Sequence, residues 1–66
     1  MFEKTKAQLE WYWSKLIREN EYSLQSRIYF IMFGMAELAI TLADNPMEKQ
    51  ALIDLWESYS QRYYSL

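Results

Sequence analysis

The chain has 66 residues, 52% of them hydrophobic and 18% aromatic, with a net charge of −2; this content excludes a disordered segment. It contains no Cys and no His, which removes disulfides, thiolate metal sites, the commonest transition-metal ligand and the commonest general base. The seven basic residues are scattered among nine acids, so no basic stripe marks a nucleic-acid backbone site.

The N-terminus, MFEKTKAQLEWYW, is polar where a secretory signal would be apolar, so a cytoplasmic location is the default expectation. The first predicted helix covers about 3–19. Phe2, Leu9, Trp13, Leu16 and Ile17 fall on one face, and Lys4, Gln8, Lys15 and Glu19 on the other. Trp11 lies outside the apolar stripe, and Arg18 follows it on the same face at i+7. Trp and Arg are enriched at binding hot spots, so the pair is a candidate contact patch; the alternative is that Trp11 only covers the flank of the bundle. A break or kink is expected near 20–23, with Asn20 or Ser23 able to cap a new helix. One continuous helix over 3–43 is the alternative.

The central helix, about 24–43, is apolar almost all the way round. Its main stripe has coiled-coil spacing, Leu24, Ile28, Ile31, Met35, Leu38 and Leu42, and is assigned to the core. Tyr29, Met32, Ala36, Ala39 and Ile40 lie beside it. The remaining arc holds Arg27, Phe30, Phe33, Gly34, Glu37 and Thr41. Phe30 and Phe33 flank the single Gly of the chain, Gly34, and mark a candidate dimer or partner contact, Phe30 more so than Phe33. Glu37 is read as solvated, since acids are almost never buried unless paired. As a membrane span, 28–43 rises only roughly 24 Å against the ~30 Å hydrocarbon core.

At Asp44-Asn45-Pro46 the chain turns. Asn45 reads as an N-cap, Pro46 as the first helical residue, and Glu48 as the reciprocal member of a capping box. So short a linker makes an αα-hairpin. The last helix, about 46–64, carries Leu52, Leu55, Trp56, Tyr59 and Tyr63 as one stripe, with Asp54, Glu57, Ser58 and Gln61 opposite. Tyr64 falls outside the stripe and is a further candidate contact.

These elements make a single all-α domain over 1–66, a small bundle of two or three helices. So short a chain buries only about 60% of its unfolded surface, so homodimerisation is expected to complete it. No nucleophile–base pair, Gly-rich phosphate loop or metal-ligand set is present, so no catalysis and no cofactor are expected. The leading expectation is a non-enzymatic protein–protein interaction module, an adaptor, inhibitor or regulator of the size common among bacterial and phage accessory factors. It would act as a homodimer that occludes or clamps a partner through exposed aromatics near Trp11, Phe30 and Tyr64, with Trp11, Arg18, Phe30, Phe33, Gly34, Glu37 and Tyr64 as candidate partner or dimer contacts. Two alternatives are a nucleic-acid-binding regulator using Lys15, Arg18 and Arg27 near the first helix junction, and a small membrane-associated protein using 28–43.

Overall fold

Asn45 starts the most sharply defined helix of the chain. In the computed structural model, which describes all 66 residues, its side-chain oxygen accepts a hydrogen bond from the Met47 N–H at 2.7 Å, and Pro46 opens the helix behind it. One of the unpaired amides of the first turn is thereby satisfied. The reciprocal half of the capping box is not made: the Glu48 carboxylate instead sits 4.0 Å from the Met1 amino group. It still lies in the first turn, where the helix dipole favours an anion.

The three helices are α1 (Phe2–Leu16), α2 (Tyr22–Leu42) and α3 (Pro46–Tyr64), with no strand. They run up-down-up, with α2 packed along both neighbours, and α1 and α3 meeting least, through side chains such as Trp13 and Tyr59. The body measures 38 × 18 × 15 Å, its long dimension set by the 21 residues of α2 at about 1.5 Å each.

The break between α1 and α2 is real and falls at 17–21. Neither Asn20 nor Ser23 caps α2; Glu21 takes that position in extended geometry without a side-chain bond. The turn is held by its neighbours. The Glu19 carboxylate accepts from the N–H groups of Asn20 and Glu21 at 3.0 and 3.2 Å. The Gln25 amide donates back to the Glu19 carbonyl at 2.7 Å. A free carbonyl past the end of α1 is thus paired from the first turn of α2, which folds one helix back on the other.

The core has two parts. At the end where α1 finishes and α2 begins, Leu9, Leu16, Met32, Tyr29 and Tyr59 are buried together, with Trp13, Leu55 and Trp56 packed around them. At the other end Ala39 and Ala43 of the α2 face take Leu52 from α3 and Phe2 from α1. The α1 face is narrower than the sequence implies: Ile17 is exposed and Thr5 is buried. Since α1 packs mainly on α2, only a slim stripe of it is covered, and Ile17 lies about 100° off that stripe.

The largest correction concerns α2. Its buried stripe is Tyr29, Met32, Ala36 and Ala39, continued by Ala43 just past the helix end, not the heptad stripe. Ile31, Leu38 and Leu42 of the heptad stripe are exposed, and Leu24, Ile28 and Met35 are only half-buried. Small residues decide the choice, because three alanines on one face let two neighbouring helices approach closely and receive their large side chains. Met32→Ala is therefore expected to destabilise the fold by about 2–5 kcal/mol in urea unfolding. Leu42→Ala, in solution dilute enough to keep the chain monomeric, should change stability by no more than about 0.5 kcal/mol. The reverse order would put the heptad stripe back in the core.

Candidate interaction surface

Two neighbours cannot cover α2. On its outer side Phe30, Ile31, Leu38 and Leu42 are 65%, 48%, 61% and 55% exposed. They surround Gly34 on a face about 120° wide at 100° per residue. Arg27 and Thr41 stand on the same face toward its two ends and Glu37 at its edge, all exposed. Along the α1 margin Met35, Leu38 and Leu42 meet Lys4 and Gln8 in a groove of about 260 Å³. Sequence reasoning placed Phe30, Gly34 and Glu37 here but assigned Ile31, Leu38 and Leu42 to the core. The run Ala36, Ala39, Ala43 was the signal that would have corrected this.

Gly34 has no task inside the chain. A Cβ built on it meets no atom within 4 Å, and its φ is not positive. A helix-interior Gly costs about 1 kcal/mol relative to Ala. Nothing in the monomer offsets that cost.

The α3 margin of this face is aromatic. Tyr29 is the hub: its ring stacks on Tyr63 at 4.0 Å between centroids and 9° between planes, and on Trp56 at 5.2 Å. Phe30 and Tyr64 approach it edge-on at 6.0 and 5.9 Å. Phe33 meets Trp56 edge-on at 5.6 Å, so it is partly used inside the bundle. The Tyr29 hydroxyl shares a 2.8 Å hydrogen bond with the Ser60 hydroxyl, which satisfies the polar end of a buried ring. Phe30, Phe33 and Tyr64 therefore belong to one continuous region, held by α2 and α3. Beside it, at the end of the bundle, Tyr22, Tyr63 and Tyr64 line a cleft of about 400 Å³.

Trp11 and Arg18 lie apart from that region, on α1 and the turn after it. Trp11 is 55% exposed and packs edge-on to Tyr12. Its cationic partner is Lys15, with Nζ 4.5 Å from the ring centre, and not Arg18. Lys15 sits one helical turn along at i+4, whereas Arg18 is two turns on and past the helix end. Arg18 lines a shallow groove with Lys15, Glu19 and Ile28. The seven residues singled out in the sequence thus divide between two surfaces. Phe30, Phe33, Gly34, Glu37 and Tyr64 are on the α2–α3 side, and Trp11 and Arg18 are on α1.

No group of three or more Asp or Glu side chains is placed to hold a metal ion. The chain matches no protein-family model, no curated protein and no solved structure.

Two tyrosines at the aromatic side titrate abnormally. Burial raises the Tyr59 hydroxyl above its ordinary value of 10.0; the Glu10 carboxylate adds to this, and Arg62, whose guanidinium lies 5.0 Å from the ring centre, opposes it. Burial also raises Tyr63, opposed by the nearby Ser26 hydroxyl. A phenol that holds its proton more tightly in the folded chain than in the unfolded one stabilises the fold fully below the unfolded value. That contribution is lost as pH rises through the folded value. Thermal stability is accordingly expected to fall once pH exceeds the ordinary tyrosine value of 10.0. Tyrosinate absorbance should show a delayed class of tyrosines, and Tyr59→Phe should shrink that class.

Proposed function

We propose that this chain is a non-enzymatic protein–protein interaction module that works as a homodimer through the outer face of α2. The observation that carries this reading is the apolar face left uncovered on a finished bundle: Phe30, Ile31, Leu38 and Leu42 around Gly34. Those side chains expose on the order of 400 Å², within the range of the largest apolar patch on a monomer, and such patches are often functional. The face also has the layout of an interface, with an apolar centre and charges kept to the margin. The aromatic margin of Phe33, Trp56 and Tyr64 extends it toward α3. With α2 paired, α1 remains outward, and the exposed Trp11 stacked by Lys15 supplies the second contact, through which the dimer would occlude a partner's surface.

The other two readings draw less support. Glu19 shares the groove of Lys15 and Arg18, which cuts the positive field that phosphate binding needs. No helix is long and apolar enough to cross a membrane.

Sedimentation equilibrium tests the proposal. A dimer is expected at micromolar concentration. Phe30→Ser should raise its dissociation constant at least tenfold, about 1.4 kcal/mol, while far-ultraviolet circular dichroism keeps its helical amplitude. A stable monomer throughout the micromolar range would sink the homodimer. A Phe30→Ser chain that loses its helices would instead make Phe30 part of the monomer core.

A further inference from the structure

We infer that the two copies pair antiparallel, α2 against α2, with the twofold axis passing between the two Gly34 residues. This rests on the self-association proposed above and adds its geometry. Gly34 is the one position on the outer face without a side chain, and a Cβ there would have open space in the monomer. Its missing side chain is therefore useful only to something arriving from outside. A twofold axis at Gly34 lets the two backbones come closest at that point. Position i of one helix then faces position 68 − i of the other, so Phe30 lies against Leu38 of the second copy, and Leu38 against its Phe30 (two apolar pairs about one helical turn to either side of the centre).

Charge favours the same orientation. Arg27 of one copy faces Thr41 of the other, in the last turn of the partner helix and within about one turn of Glu37 and Asp44. That helix end has no basic residue of its own, and its carbonyls carry the negative end of the helix dipole. An arriving guanidinium is therefore matched twice, by carboxylates and by the helix end. Parallel pairing would instead set Arg27 against Arg27 and Glu37 against Glu37. The four large side chains of both copies could remove up to roughly 800 Å², and Arg27, Met35 and Thr41 at the rim add to it, toward the ~1,000 Å² of a specific interface.

The absence of Cys makes the test clean. Chains bearing Phe30→Cys and chains bearing Leu38→Cys are mixed and oxidised under mild conditions. The expected result is a covalent dimer in the mixture and little from either variant alone. In parallel, Gly34→Leu should raise the dissociation constant at least tenfold with the monomer still folded, because the added side chain has room in one copy but not between two. Arg27→Glu should weaken the dimer about two- to fivefold, the effect of an exposed ion pair, and adding Glu37→Arg should recover it. Cross-linking of Phe30→Cys with itself would show parallel helices and overturn the inference while leaving self-association intact. A dimer in sedimentation that forms none of these cross-links, or is unaffected by Gly34→Leu, overturns it as well. A monomer under all conditions overturns both this geometry and the homodimer.

Discussion

Everything in this fold depends on how α2 is oriented about its own axis. The helix is apolar around most of its circumference, so burial of greasy surface alone does not choose a face. Packing does. Ala36, Ala39 and Ala43 make one face shallow, and shallow faces allow neighbouring helices to approach within the distance at which Leu52 and Phe2 fill the hollow. Placing Leu38 or Leu42 inward would hold those helices further off and leave voids beside them. Once the alanine face is inside, Phe30, Ile31, Leu38 and Leu42 are left on the outside, and the exposed apolar face follows from the same choice.

The aromatic side chains fix the opposite end. Tyr29 is nearly buried, yet it carries a hydroxyl that needs a partner, and Ser60 on α3 supplies one. The bond ties α2 to α3 across 31 positions of sequence and sets their rotation and height relative to each other. Around it, Trp56 and Tyr63 provide broad, stiff surfaces that lose few rotamers on burial. A 66-residue chain with no disulfide gains from this: a few large rings fill the volume that many aliphatic residues would otherwise have to fill.

Features governed by local chemistry were legible in the sequence. The Asn45-Pro46 start of α3, the hairpin at that point and the stripe of Leu52, Trp56, Tyr59 and Tyr63 needed only capping rules and helical period. The break before α2 was placed within a few residues, but its cause was not, because Glu19 and Gln25 act through contacts between two helices and not as caps. The buried face of α2 was misjudged for a definite reason. Heptad spacing in Leu24 to Leu42 marks an apolar face, but the chain's own helices pack on the alanine face instead. Periodicity shows that a face is apolar; residue size shows which face the chain's own helices can reach. Likewise Trp11 and Arg18 share a direction on the helical wheel, but the wheel ignores distance along the axis, where Lys15 is closer.

Exposed heptad spacing, an idle glycine and an α2 C-terminus without a basic residue would share one explanation in the homodimer proposed above. Two helices packed on a third leave more than a third of its circumference open. In a four-helix bundle a fourth helix closes that gap. Here the open arc has the features a fourth helix would require: apolar residues at its centre, room for close approach at Gly34, and charges near its ends in opposite senses. The arrangement also limits what can dock, because Arg27 and the Glu37 and Asp44 carboxylates stand toward opposite ends of the face. An incoming helix must carry negative charge toward Arg27 and positive charge toward Asp44, and α2 reversed on itself meets that requirement.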